Sequence, residues 1–205
     1  MEVDYQQLTR RLLYRLRKQM NGDALDRMLC YGEPYVRNYG VQIYALRDIA
    51  REVGTYHALA DHLRLSDIRE LRIIALWIAD VEHLDSATIA PWLDTLTNSE
   101  MAEQAAHALL SRFGALAELL AQNELFARPF VAYALLLAAA RQGVADRPLV
   151  ANALAAAIEH NPDNALVARA AATWLSALDA PEPLLEGLPD TPTLRALQRE
   201  LSWRI

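Results

Sequence analysis

What most limits the folding of this chain is a recurrence: apolar helix pairs begin near residues 55, 87, 115 and 147, spaced by 32, 28 and 32 residues. A period near 30 with two helices per unit is what a helical solenoid requires, although it is shorter than the ~40–47 residues of the common two- and three-helix repeats. In each pair the second helix is the more apolar. Residues 67–80 carry Ile68, Leu71, Ile74, Ala75 and Ile78; residues 99–112 carry Ala102, Ala105, Ala106, Leu109 and Leu110; the next repeat carries Val131, Leu135 and Ala138. A helix apolar over more than half its circumference must be covered on both flanks, and stacking between neighbouring pairs supplies that cover.

Composition agrees, since 53% of the 205 residues are hydrophobic, many of them the helix formers alanine and leucine, with only 7 glycines and 9 prolines. The chain is expected to be all-α and a single domain over 1–205. N-terminal helices and a loop fill 1–40, stacked pairs 41–178, and a proline-rich segment with a capping helix 179–205. Helices are predicted at 2–20, 23–30, 43–53, 55–64, 67–80, 88–96, 99–113, 115–122, 126–141, 147–160, 163–178 and 193–203. Asp23 reads as an N-cap, Thr97 with Glu100 as a capping box, and Asn161-Pro162 as a cap followed by proline at the first helical position. Leu194, Leu197, Leu201 and Trp203 are expected to pack the last helix back over the open apolar end.

Several function classes fall away. The longest apolar run, 130–140, has 11 residues, against the ~20 that cross a bilayer. The start, MEVDYQQLTRRL, lacks an apolar signal region, so a cytoplasmic protein is expected. The single cysteine, Cys30, cannot close an internal disulfide and reads as a buried small hydrophobe. His57 and His62 stand five apart and diverge around a helix, so no metal site is expected. There is no glycine-rich phosphate loop and no GxSxG elbow, and no cofactor is expected.

The net charge of −6 is uneven: +2 over residues 1–72 and −8 over 73–205. All basic residues except Lys18 are arginine, a side chain suited to phosphate forks as well as ion pairs. Arg10, Arg11, Arg15, Arg17 and Lys18 make one face of the first helix cationic. Among the tryptophans, Trp77 sits in the apolar run 73–78 and reads as core, whereas Trp174, following Arg169 on one helix, is placed at a groove rim.

The segments NYGVQIYALRDIA, DIRELRIIALWIAD, ATIAPWLDTLTNSEMAEQAAHALL and LFARPFVAYALL, in that order, resemble the AlkD-type DNA alkylation repair proteins, HEAT-like alkylpurine DNA glycosylases, over about residues 35–174. The resemblance implies a HEAT-like α-α superhelix whose concave face, built from second helices, holds duplex DNA by its backbone. It also implies an aromatic residue and an aspartate one turn later that stabilise the cationic alkylated nucleotide as its glycosidic bond breaks. The family's arginine falls on Arg128, and its later tryptophan falls at Thr173, next to Trp174. The aromatic and the aspartate fall at about Met101 and Ala105, and residues 98–107 contain neither tryptophan nor aspartate.

The expectation is therefore a HEAT-like repeat protein without the family's standard catalytic pair, binding duplex DNA backbone through Arg69, Arg72, Arg112, Arg128, Arg169 and Trp174. One alternative is an active glycosylase with a displaced carboxylate, Glu100 or Glu103. Another is a protein-interaction scaffold, which the acidic residues 73–205 favour. Oligomeric state is left open by the sequence.

Overall fold

The structure, a computed structural model, describes residues 4–30 and 35–203, with the side chains of all of these except Leu29 and Cys30. The expectation for Cys30, and part of the loop expected before residue 41, lie outside the described residues. The described chain is helical, and it packs as two compact units, residues 1–83 and 84–205. None of its helices is long and apolar enough to cross a membrane.

Unit 1 contains α1 (Tyr5–Arg17), α2 (Gly22–Cys30), α3 (Ile43–Val53), α4 (His57–Arg64) and α5 (Arg69–Ile78). Its centre is α5, which packs on α3 and α4. Leu71, Ile73, Ile74, Ala75, Leu76 and Ile78 are all buried, as a helix apolar on every side requires. The start of α5 also gathers the preceding segment. Arg69 N–H donates to the Arg37 carbonyl, and Arg37 N–H to that of Asp67. Glu70 Oε1 accepts from Tyr39 N–H at 3.1 Å, Val41 N–H at 3.2 Å and Arg69 Nη1 at 3.1 Å, while Arg69 Nη1 also donates to the Val41 carbonyl at 2.9 Å. Both side chains are fully buried, and two charges persist inside a protein only when paired and hydrogen-bonded in this way. Gly40 lies in the same segment with φ +69°, and an added Cβ would collide with the Asn21 carbonyl.

Unit 2 contains α6 (Ala90–Leu93), α7 (Ser99–Ala108), α8 (Leu116–Leu120), α9 (Pro129–Gln142), α10 (Arg147–His160), α11 (Ala165–Leu175) and α12 (Pro192–Ser202). The second helices stack in order, α7 on α9, α9 on α11 and α11 on α12. Side-chain hydrogen bonds bind each repeat to the next. Gln142 Nε2 donates to the Leu110 and Phe113 carbonyls at 2.9 Å each, and Trp174 Nε1 to Val144 at 2.8 Å. Buried Asn161 donates through Nδ2 to Phe126 at 2.9 Å, and Thr193 Oγ1 donates to the Asn161 carbonyl. These links span 29–35 residues, the period read from the sequence.

Three caps differ from expectation. Asn98, not Thr97, caps α7 by accepting from Met101 N–H at 2.8 Å. Asn164, not Asn161, caps α11, and Asn161 instead ends α10. Asn21 accepts from Ala24 N–H, which leaves Asp23 in the first turn of α2. In each case an asparagine took the position, in keeping with its strong N-cap preference. The first helices of two pairs are also shorter than expected. Asp85 Oδ1 collects the N–H groups of Ala87 and Thr88 and the Thr88 hydroxyl, holding 85–88 as a turn and reducing the predicted helix 88–96 to α6. In α12, Leu194, Leu197 and Leu201 are buried as expected, but Trp203 is 87% exposed and does not pack back.

Candidate nucleic-acid interface

The apolar stripe of α7, with Met101, Ala102, Ala105 and Ala106 buried, fixes what that helix can present. Three- and four-residue steps leave Glu100, Glu103 and His107 on the opposite flank. Glu103 is exposed and Glu100 partly buried. Met101 and Ala105, where the resemblance put the aromatic and the aspartate, face the core and have no access to a ligand.

Glu103 Oε1 accepts a 2.7 Å hydrogen bond from the Tyr133 hydroxyl of α9. Tyr133 is otherwise buried, and its pKa is pushed up to about 12, first by burial and then by the hydrogen bond and negative charge of Glu103. Arg169 of α11 stands near enough to pull that pKa the other way. Thus α7, α9 and α11 bring a carboxylate, a phenol that is neutral at pH 7 and a guanidinium into one cluster. Two of its members, Glu103 and Arg169, were expected from the sequence. Tyr133 was missed, and the signal for it was the repeat period, since it is the one hydroxyl-bearing residue of the apolar helix α9 and lies 30 residues beyond Glu103.

Other expected contacts are placed differently. Trp174 is fully buried, its indole N–H committed to Val144, so it cannot meet DNA at a rim. Its spacing from Arg169 explains this, because five residues turn about 140° around a helix. Arg69 is likewise corrected: it is fully buried in the Glu70 pair and cannot reach a phosphate. Arg128 is half-buried and tied to Asp94 at 3.0 Å and to the Leu93 carbonyl at 2.8 Å. Arg112 is exposed, with Nε donating to the Ala108 carbonyl. Arg72 is partly buried, and burial lowers its pKa while nearby Tyr35 raises it; an arginine remains charged at pH 7. Arg169 is exposed and forms no ion pair among the described residues.

In unit 1 the Arg47 guanidinium lies 5.0 Å from the centre of the Trp77 ring. Trp77 is only partly buried, contrary to its core reading. Three of the five histidines are engaged with other rings: His57 stacks on His83 at 5.4 Å and His62 on Tyr5 at 5.8 Å, with His83 Nδ1 2.8 Å from Asp80. Among the described residues no three His, Cys, Asp or Glu side chains stand together to hold a metal ion.

No curated protein matches the chain. One solved structure, described as belonging to a new family of proteins related to the HEAT-like repeat DNA glycosylases with affinity for branched DNA structures, superposes with a TM-score of 0.69 at 12% identity. That match covers 98% of this chain and 95% of the other, and it gives the fold as an all-α HEAT-like repeat. The family model described as DNA alkylation repair enzyme matches residues 12–180. Since that match takes in most of the chain, from α1 to just past α11, the chain belongs to the DNA alkylation repair enzyme family.

Proposed function

We propose that the chain is a DNA-binding member of this family that grips the sugar–phosphate backbone and does not release bases. Arg169 carries the reading: it is exposed on a second helix, beside a neutral tyrosine and outside any ion pair among the described residues. Beyond its hydrogen bond with Tyr133, a guanidinium so placed has further N–H groups to donate to phosphate oxygens, which position a protein on DNA without reading its sequence. Within the same unit, Arg112 can add a weaker contact by leaving its present surroundings. The buried places of Met101 and Ala105 support the loss of base release, because nothing there meets a developing sugar cation.

Fluorescence anisotropy with labelled DNA over a series of salt concentrations tests this reading. Branched DNA, for which the structural relative has affinity, belongs in the titration beside a duplex. Affinity is expected to fall as salt rises, and Arg169→Ala to weaken binding by ~1 kcal/mol and lower the salt slope by about 1. Undetectable or salt-independent binding to both DNAs rejects the proposal.

Glu103 favours a second reading, as a displaced carboxylate exposed beside a neutral phenol, with Glu100 on the same flank. A charge held there could stabilise a cationic alkylated nucleotide. DNA carrying 7-methylguanine separates the two: base release above the spontaneous rate that disappears in Glu103→Gln establishes a glycosylase, and the first reading expects none.

A further inference from the structure

Unit 1 contains a cleft of about 310 Å³ lined by Arg47, Ala50, Arg51, Gly54, Thr55 and Trp77. It lies where the later turns of α3 approach the end of α5. Leu76 and Ile78 on either side of Trp77 are buried, whereas Trp77 keeps part of its ring at the surface with the Arg47 guanidinium over it. Arg47 makes no hydrogen bond or ion pair among the described residues, and its Nε is buried without an acceptor. The ring, and no acid, therefore holds this cation in place. Its remaining N–H groups are uncommitted.

The rim adds what an anion needs. Arg51 is 77% exposed and pairs with exposed Asp48 at 2.8 Å, a surface contact worth only ~0–1 kcal/mol that a phosphate can displace. Thr55 offers a hydroxyl. Gly54, at φ +73°, has nothing within 4 Å of where a Cβ would lie, so the mouth is open on that side. The last turns of α3 and α5 present carbonyl ends whose partial negative charge repels an anion. A phosphate is acceptable here only because Arg47 and Arg51 stand between.

An indole and two arginines around one cleft combine the two parts of a single-strand platform, a π-face for a base and cations for its backbone. A carboxylate ligand would use the arginines and leave the indole idle, and a base inside an intact duplex has both faces covered. We propose that this cleft takes one unstacked nucleotide of a DNA strand, its base against the Trp77–Arg47 surface and its phosphate on Arg51. The choice of DNA as the polymer rests on the function proposed above; the cleft itself does not depend on Arg169.

Tryptophan fluorescence of the full chain tests it. Trp92 and Trp174 are buried, so in a Trp203→Phe background Trp77 is the indole that a ligand reaches. Oligo-dT, a blunt duplex of equal length and dTMP are titrated in turn. The single strand is expected to quench saturably, and the duplex and dTMP to bind at least tenfold more weakly. Arg47→Ala and Arg51→Ala are each expected to weaken the strand at least tenfold at unchanged helical circular dichroism. Arg51 is exposed, so that variant decides if Arg47→Ala does not fold. Absence of saturable quenching by the strand overturns the proposal, as does quenching indifferent to Arg51, or dTMP binding as tightly as the strand. Duplex binding lost in Arg169→Ala while strand quenching persists marks the two sites as separate. Strand quenching without any duplex or branched-DNA affinity rejects the backbone-binding function and leaves the cleft.

Discussion

Tyr133 shows how one buried hydroxyl registers its neighbours. Its folded-state pKa, about 12, lies above the ordinary tyrosine value of ~10. The neutral phenol's contribution to stability is thus fully present below pH ~10 and is lost as pH rises from there through about 12. Alkaline absorbance titration is expected to show a late-ionising phenol that is missing from Tyr133→Phe. Arg169→Ala should raise its midpoint and Glu103→Gln lower it, because the first removes a cation that favours phenolate and the second an anion that opposes it. If neither variant moves the midpoint, the three side chains do not form one cluster in solution.

At the scale of elements, the segment before α5 depends on a charge pair that no surface replaces. Glu70→Ala would leave Arg69 buried without its counter-ion and the Tyr39 and Val41 N–H groups without their acceptor. A loss of about 3–5 kcal/mol is expected in urea unfolding; a loss below ~1 kcal/mol would show that the segment is held by something else. Elements with a clear apolar pattern were legible in the sequence: α3 and α10 fall where expected, although Gln42 before α3 makes no side-chain cap, while Asp146 caps α10 by accepting from Leu149 N–H. The tryptophans were not, and the structure exchanges their roles. In α5 apolar residues on every side hide the phase of the helix, so nothing local reveals that Trp77 faces outward. In α11 the exposed Arg169 does set the phase, and with it the burial of Trp174. The Glu103 cluster was legible in two of its three members, since charge marks them, whereas Tyr133 becomes visible only when positions one repeat apart are laid side by side.

For the whole molecule, a net charge of −6 means that contact with DNA depends on where its cations stand and not on their sum. The arginines are divided between roles: Arg69 holds a fold, Arg128 ties down the carbonyl of Leu93, and Arg169 faces solvent. The hydrogen bonds that join repeats reach one period, 29–35 residues, and the ones described stop there. Structure so connected is local in chain order, which favours quick folding and lets damage stay near where it is made. Thr193→Val, which cuts the link from α12 to Asn161, should therefore speed amide exchange in α12 and α11 more than in α7; equal acceleration in all three would mean that unit 2 opens only as a whole. Stability in this chain is passed from neighbour to neighbour, so α12 serves less as a lid than as the last listener in a line.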